Sequence, residues 1–321
     1  MASLVAMRSR CRSPRGFALM VVIVVLLFAS FLASTLTLQL RAEQQTAFNA
    51  INRSSSRFLA EAGVQLALFR LLDTPLSATD PQYEHLVPGV EYEATLRTGS
   101  VRYYAVNEGG KIDVNNAPRA LLVLFLRYHG FTAAEAAAFA DALGDWRDDD
   151  DLLRLHGAEK DYYQGLASPY LPRNGEIAEP AELLLLRGAD KLVGKFEPEE
   201  VFTVYNPQGK INANHLTPAM LAFVMEGDSA RMQAFREAQQ THLTISSALG
   251  RQLIGDKRYA ELEPYLTFEK DGGSSHSQIT AIGRRLPSRE GAAPPPGVKT
   301  TTLVRIFGDT YQFVVWKEGG A

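Results

Sequence analysis

The chain has 321 residues and a formal net charge of −3, and its only cysteine is Cys11. This near-neutral balance gives the protein no general electrostatic attraction for nucleic acid. Because Cys11 lies in the N-terminal leader, no disulfide can form in the rest of the chain, which must be stabilised by core packing or bound ions. Roughly 250 residues follow the long N-terminal helix predicted below, enough for two modest domains.

The N-terminus combines a basic leader with a long apolar segment. Four arginines and no acidic residue precede residues 17–40, which carry no charge. A helix of this length spans about 36 Å, enough to cross the hydrocarbon core of a bilayer. The arginines predict a cytoplasmic N-terminus, so the rest of the chain would lie on the far side of the membrane.

Three interpretations of this segment compete. A cleaved secretory signal peptide usually has a shorter apolar core of about 7–15 residues, and here Phe31 and Leu32 interrupt the small residues expected at a cleavage site. A plain signal anchor agrees equally well with the hydropathy. The third is a leader of the type IV pilin kind, cut after Gly16 so that the mature helix begins at Phe17. The Gly16–Phe17 pair is a weak motif, so the rest of the chain has to distinguish these interpretations.

The sequence after residue 40 predicts that the helix continues. Apolar residues recur at three- and four-residue spacing, and we expect them to form one stripe that packs against a globular domain. No proline occurs between Phe17 and Leu72, and residues 73–75 (DTP) would end the helix. The residues of the predicted stripe are Phe48, Ile51, Phe58, Ala62, Leu66, Phe69 and Leu72.

Predicted strands lie on both sides of a helical block. Two strands are expected before it, with a turn at Gly99 and Ser100, and three after it, the last two joined by Gly308 and Asp309. Most of residues 116–260 are helical in character. The predicted strands are 86–98, 101–107, 278–286, 300–308 and 311–317. This order indicates a block of helices inserted into a pilin-type sheet.

Local signals place individual helices and loops. Two helices, 120–128 and 132–146, lie on either side of His129 and Gly130, and a Thr-x-x-Glu spacing at 132–135 predicts a capping box. The proline-rich segment 287–297 is expected to be an exposed loop or linker.

A short internal repeat marks the helical block. Residues 110–115 (GKIDVN) recur as 209–214 (GKINAN), and each copy is followed by Pro118 or Pro218 and an apolar helix. We expect the asparagine side chain to accept a hydrogen bond from the first free backbone N–H groups of that helix, where proline costs no donor. Two strand-to-helix entries of this kind indicate a duplicated subdomain rather than two active sites.

Together these features resemble protein K of the type II secretion system, the family of large minor pseudopilins. The resemblance implies an α+β fold with a pilin-like long N-terminal helix, an antiparallel sheet and a large inserted α-helical domain. It also implies a place at the tip of a periplasmic pseudopilus that helps to move folded proteins across the outer membrane. The motifs that carry it are RGF at 15–17, GKIDVNNAP at 110–118, DWRD at 145–148, GAE at 157–159, DYY at 161–163, PY at 169–170, EPAEL at 179–183 and GKINAN at 209–214.

The resemblance further implies the organisation of the chain and its partners. We expect a prepilin leader at 1–16, a transmembrane helix segment at 17–40, the rest of the pilin helix and the first strands at 41–110, an inserted helical domain with the repeat at 111–260, and C-terminal strands that complete the sheet at 261–321. The expected partners are a prepilin peptidase, the major pseudopilin and minor pseudopilins of the I and J types. The chain would be a single-pass inner-membrane protein with its bulk in the periplasm.

One position bears on the place of the subunit in the filament. Most pilin-like proteins carry a glutamate at the fifth mature position, where it pairs with the N-terminal ammonium of a neighbouring subunit. Here the fifth residue, counted from Phe17, is Val21. A tip subunit has no subunit above it to supply that amine, and a lone carboxylate inside the bilayer would be costly. Val21 is also an ordinary residue for a membrane helix, so both interpretations of it stay open.

An acidic cluster is the one candidate chemical site. Asp145 and residues 148–151, all aspartates, crowd one loop, and Glu159 and Asp161 follow closely. Hard oxygen ligands suit calcium, but the EF-hand spacing is not met, and a solvated run of charge explains the residues alone equally well. The resemblance favours calcium, since relatives carry it in this domain. The ligands expected are Asp148, Asp150, Glu159 and Asp161, whereas the neighbouring aromatic residues Trp146, Tyr162 and Tyr163 are expected in the core.

The sequence contains no catalytic constellation, so we predict no enzymatic activity. The six histidines are scattered, and there is no HExxH, no GxSxG and no phosphate-binding glycine loop. Two other classes of function stay open. The helices around Gly130 could form a helix-hairpin-helix module of a membrane-anchored DNA-uptake protein, although the aspartates that follow would repel phosphate. A minor pilin of a type IV pilus would usually keep the glutamate that Val21 replaces and often a C-terminal disulfide.

Overall fold

The computed structural model describes residues 15–72, 86–242, 244–269, 273–287 and 293–320. The chain divides into two units, Met1–Ser54 and Ser55–Ala321. Most of the predicted leader, the predicted helix stop at 73–75 and part of the predicted loop at 287–297 lie outside the described residues.

Helix α1 runs without interruption over Arg15–Leu72. In the described part of the chain it is the one helix that is long and apolar enough to cross a membrane. Within the first unit every described side chain from residue 19 to residue 51 is exposed. The prediction of one long N-terminal helix is therefore confirmed.

The second unit holds the remaining elements. In chain order they are β1 (Tyr92–Leu96), β2 (Gly99–Asn107), β3 (Ile112–Asp113), α2 (Arg119–Tyr128), α3 (Ala133–Arg147), α4 (Lys160–Gln164), α5 (Pro198–Val201), β4 (Phe202–Thr203), β5 (Ile211–Asn212), α6 (Pro218–Val224), α7 (Ser229–Thr241), α8 (Ser247–Ile254), α9 (Asp256–Leu262), β6 (Leu266–Thr267), β7 (His276–Arg285), β8 (Val298–Phe307) and β9 (Thr310–Gly320). Short 3-10 helices lie at Glu108–Gly110, Pro180–Leu185, Ala189–Lys191, Ala213–His215 and Glu263–Tyr265.

Five of the strands form one antiparallel sheet in the order β1-β2-β7-β8-β9. Because β2 pairs directly with β7, residues 108–275 lie between two neighbouring strands of the sheet. The first turn is at Arg97 and Thr98 rather than at the predicted Gly99 and Ser100, which belong to β2. Gly99 is needed in the strand, because a Cβ there would collide with the carbonyl oxygen of Arg284 on β7. The predicted turn at residues 308–309 is confirmed.

The last turns of α1 pack on this sheet through small and aliphatic side chains. Val64, Ala67 and Leu68 are buried in one cluster with residues of β2, β7 and β8. The aromatic residues of the predicted stripe are instead exposed, with Phe58 at 64% and Phe69 at 67%, whereas Leu66 of the stripe is half-buried against this cluster. The prediction that this stripe as a whole packs on the globular domain is wrong. The side of α1 that packs on the sheet carries small residues because they let the helix backbone approach the sheet closely.

The two repeat segments adopt the same local structure. β3 pairs in parallel with β4, and β5 pairs in parallel with β6. Asp113 and Asn212 occupy equivalent positions, and each accepts a hydrogen bond from the backbone N–H two residues further on, at 2.8 and 2.9 Å. The shared turn agrees with a duplicated strand-to-helix entry.

The prediction that the asparagines of the repeat cap the helices that follow them is wrong. Asn115 exchanges two hydrogen bonds with the backbone of Ile177, and Asn214 does the same with Ile245. Helix α2 has no side-chain cap, and α6 is capped by Thr217. Three residues separate each asparagine from its helix, which places the side chain beyond the first free N–H groups, so it fixes a distant loop instead.

Lys111 of the first repeat joins the inserted block to the sheet. Its Nζ donates to Oε1 of Glu108 at 2.7 Å and to Oε1 of Gln278 on β7 at 2.8 Å. Lys111 and Glu108 are 2% and 4% exposed. The equivalent Lys210 of the second copy is exposed. Only the first copy therefore uses its lysine as a buried structural link.

Candidate metal site

The acidic segment begins in the last turn of α3, the helix whose predicted capping box between Thr132 and Glu135 is present. Asp145 is fully buried there, and its Oδ1 accepts a hydrogen bond from Nη1 of Arg154 at 2.7 Å. The backbone N–H of Arg154 donates to the same carboxylate. A Cβ on Gly157 would collide with this carboxylate, so glycine is required at that position. The loop between α3 and α4 is therefore folded around the side chain of Asp145.

This folding brings three of the predicted ligands together. Asp148, Asp150 and Glu159 each offer a carboxylate oxygen, and these oxygens lie within 4.8 Å of one another. Asp161 is not part of the group. It lies in the first turn of α4, where its side chain is exposed. Three of the four predicted ligands thus converge, and the fourth does not.

Glu159 is the least solvated member of this triad. It is 7% exposed, and neither of its carboxylate oxygens has a hydrogen-bond partner. Burial, and then the negative charges of Asp145 and Asp148, raise the pKa of Glu159 to about 7. A buried carboxylate without a donor or a counter-charge is unfavourable. Glu159 therefore needs either a proton or a cation.

Asp148 and Asp150, the other two members of the triad, lie beside Glu159. Oδ1 of Asp148 is buried and has no partner, while its Oδ2 accepts from Nη1 of Arg154 at 2.5 Å. Oδ1 of Asp150 accepts from the backbone N–H of Leu152 at 2.8 Å. Arg154 therefore binds one oxygen of Asp148 and leaves the other without a partner, in the manner of an outer-shell partner of a metal ligand.

The donor set of the triad fits a hard divalent cation. Carboxylate oxygens are the ligands that calcium prefers, and calcium takes six to eight of them, so backbone carbonyls or water would supply the remainder. The unpartnered oxygens of Glu159 and Asp148 are where a cation would be most strongly favoured. The residues present therefore fit calcium.

Two residues that hold the site were missed by the sequence analysis. Arg154 stands between leucines without any motif, and its contact with Asp145 depends on how the loop closes. Gly157 belongs to the GAE motif, but its role as the space for a carboxylate is visible only in three dimensions. Trp146 and Tyr163 are buried as predicted, whereas Tyr162 is 39% exposed and lies under the guanidinium of Arg187.

The residues predicted for processing and assembly lie elsewhere, in α1. Gly16 and Phe17 are near its first residue, and Val21 follows one turn later with its side chain exposed. Nothing in the described residues tests the roles predicted for these three positions.

Fold and site together define a class of protein. A long helix with an exposed apolar first part, whose last turns pack on an antiparallel sheet, is the architecture of a pilin-like protein. Here a helical block with an acidic site interrupts the sheet between β2 and β7.

Comparisons with known proteins show which proteins the chain is similar to. Residues 104–195 match the family model for protein K of the type II secretion system (T2SS). The type II secretion system protein K of Klebsiella pneumoniae is 27% identical over 282 residues, which cover 80% of this chain and 85% of the relative. That of Aeromonas hydrophila is 34% identical over 95 residues, 28% of each chain. The chain is thus similar to protein K of type II secretion systems over most of its length.

A solved structure agrees on the fold. A chain in the crystal structure of the GspK-GspI-GspJ complex from the enterotoxigenic Escherichia coli type 2 secretion system matches with a TM-score of 0.50. The match covers 88% of this chain and all of that chain, at 14% sequence identity. At this level of identity the likeness shows a shared pilin-like fold.

Proposed function

We propose that this chain is a minor pseudopilin at the tip of a type II secretion pseudopilus, where it supports export of folded proteins from the periplasm across the outer membrane. The observation that carries the proposal is the pilin-like frame interrupted by a helical block between β2 and β7, in a chain similar to protein K. Val21 supports the tip position, because a tip subunit has no neighbour above it to pair with a glutamate.

The proposed topology follows from the N-terminus. The exposed apolar part of α1 would cross the inner membrane once, with the arginine-rich leader in the cytoplasm and the second unit in the periplasm. A prepilin peptidase would cut between Gly16 and Phe17 on the cytoplasmic side. The mature subunit would then keep α1 as its membrane anchor until assembly.

The proposed partners are other pseudopilins. The structural relative was crystallised with GspI and GspJ, and we infer that I- and J-type minor pseudopilins bind this chain as well. The major pseudopilin would lie below this group in the filament. No nucleic acid is required, and the chain would have no catalytic activity, since its contribution is the shape and stability of a filament end.

We propose that the triad of Asp148, Asp150 and Glu159 holds calcium and that the ion has a structural role. When bound, it would supply the positive charge that the buried carboxylates lack. The part of the chain after Cys11 has no disulfide available, so a bound ion would be a direct source of stability.

A secretion assay tests the proposed function. In a strain that lacks this chain but keeps its other secretion genes, exoproteins should accumulate in the periplasm, and the full-length chain should restore their release. Co-purification of the mature chain with epitope-tagged I- and J-type pseudopilins tests the partners. Normal release of exoproteins in the deletion strain, or DNA uptake lost in place of secretion, would contradict the proposal.

A further inference from the structure

The loop at residues 149–156, here called the leucine loop, exposes three large apolar side chains within four positions. Leu152, Leu153 and Leu155 are 75%, 63% and 86% exposed. Single exposed leucines are common on soluble proteins and need no explanation. Three within four positions concentrate exposed apolar surface on one loop, and concentrated apolar surface of this kind marks interaction sites.

Both ends of the leucine loop are held in place. Near its start the carboxylate of Asp150 accepts from the backbone N–H of Leu152 at 2.8 Å. Towards its end Arg154 is bound to the buried Asp145, and the N–H of Gly157 donates to the carbonyl oxygen of Arg154 at 3.1 Å. The leucines therefore project from a fixed backbone, and little order would have to be gained when they are buried in a complex.

The charge around these leucines restricts what can cover them. Asp149, Asp150 and Asp151 precede them directly and are exposed. The guanidinium of Arg154, which lies within the loop, already pairs with Asp145 and Asp148. The patch is thus apolar with a negative rim, and a complementary surface would be apolar with a positive rim.

We propose that the leucine loop docks into an apolar groove rimmed by lysine or arginine on a partner protein. An anionic lipid surface is disfavoured because Asp149 and Asp151, which lie outside the triad, would face its negative charge. A second copy of the same loop is disfavoured because it would bring two sets of aspartates together. The inference does not rest on a position in a filament, since it follows from the surface of the loop itself.

Site-specific photocrosslinking in the native host tests this proposal on the full-length chain. A photoreactive residue at Leu153 should give a discrete protein adduct, whereas the same residue at Leu286, a leucine 52% exposed at the end of β7, should not give that adduct. Mass spectrometry of the adduct should place the crosslink beside lysine or arginine in an apolar segment of the partner.

Two sets of substitutions separate the apolar and the charged contributions. Leu152→Ser with Leu155→Ser should reduce the yield of the adduct by about a hundredfold, since each buried leucine is worth roughly tenfold or more in affinity. Asp149→Asn with Asp151→Asn, which spares Asp150, should lower the yield several-fold and weaken its dependence on salt. Both variants should keep the wild-type circular dichroism and melting temperature.

Four results would overturn the proposal. They are the absence of a protein adduct at residue 153, an adduct with phospholipid, an adduct between two copies of this chain, and an adduct that survives the double serine substitution in a folded protein.

Discussion

Replacing Glu159 by glutamine should change the stability of a soluble fragment, 52–321, in opposite directions with and without calcium. Without metal, the pKa of Glu159 is about 7 in the folded state against a reference value of 4.5. The folded state therefore binds the proton more tightly, so stability is lost as the pH rises from about 4.5 to about 7 and stays low above that range. Glutamine has no charge to bury, so the variant should not suffer this loss.

The size of the effect follows from the pKa and the burial. One pKa unit corresponds to about 1.4 kcal/mol, so the ionised Glu159 costs about 3 kcal/mol of unfolding free energy at pH 8. For a fragment of about 270 residues this is a change in Tm of up to about 10 °C. In chelator, Glu159→Gln should raise Tm by about this much at pH 8 and by little at pH 4.

Calcium should reverse the order of the two proteins. A ligand at a thousandfold excess over its Kd stabilises the folded state by about 4.1 kcal/mol, which exceeds the roughly 3 kcal/mol cost of the buried charge. This gain is open to the wild type but lost when a ligand oxygen becomes an amide. Thermal unfolding followed by circular dichroism, in EDTA and in calcium at pH 4, 6 and 8, measures both effects. Asp161→Asn is the matched control, because Asp161 is exposed and outside the triad.

Two outcomes would refute the reasoning. If the wild-type fragment melts at the same temperature with and without calcium at pH 8, the aspartates are only a solvated loop. If Glu159→Gln gives no stabilisation in EDTA at pH 8, the carboxylate is not held charged and buried as the structure has it. The double substitution of Asp148 and Glu159 by alanine should erase the calcium effect while leaving a folded protein in EDTA.

Three further predictions concern other parts of the chain. N-terminal sequencing of the mature protein should start at Phe17, and Gly16→Val should leave the leader attached and abolish secretion; a start at Met1 in the wild type would contradict this. Val21→Glu should weaken assembly of the tip complex, as judged by co-purification with its partners, because a lone carboxylate in the bilayer costs several kcal/mol unless it is protonated; unchanged assembly would remove the argument for valine. Lys111→Met should lower the unfolding free energy, measured by urea denaturation, by about 3–5 kcal/mol, because it leaves Glu108 buried without its partner. The same change at the exposed Lys210, the equivalent residue of the second repeat, should cost at most about 0.5 kcal/mol.

The parts of the fold that could be predicted depend on local signals. The capping box at Thr132 requires only two side chains three residues apart, and the turn at Gly308 requires only a residue that tolerates positive φ. Alternating apolar residues likewise located the strands to within a few residues, apart from β1, which is shorter than predicted. Such signals do not depend on the rest of the molecule.

The face of α1 that packs on the sheet could not be chosen from periodicity. The helix carries a stripe with large side chains, including Phe58 and Phe69, and a face with small ones, including Ala60 and Ala67. An argument from periodicity selects the face with the most hydrophobic side chains as the packed one, and these are the large residues. The sheet selects the small face because close approach buries more surface along the helix, and only the structure shows that approach.

The candidate site, too, could be predicted from the sequence only in part. Asp148, Asp150 and Glu159 could be nominated because carboxylates crowd a short segment, but spacing alone could not separate them from Asp161. Whether a carboxylate turns inwards depends on the closed loop, and closure depends on the contact between Arg154 and the buried carboxylate of α3. That contact has no signature in the sequence.

The pairing of β2 with β7 has a consequence for how the second unit folds. These strands are neighbours in space, yet residues 108–275 separate them in the sequence. Closing an unfolded loop of that length carries a large entropic cost, which falls sharply if the intervening block has already folded and holds its two ends together. Asn107 is bonded to the backbone of Ser274, so the block does hold its ends together in the native state. We therefore expect the inserted block to fold before β2 and β7 pair, so that the sheet with the pilin-like architecture is the last part to become complete.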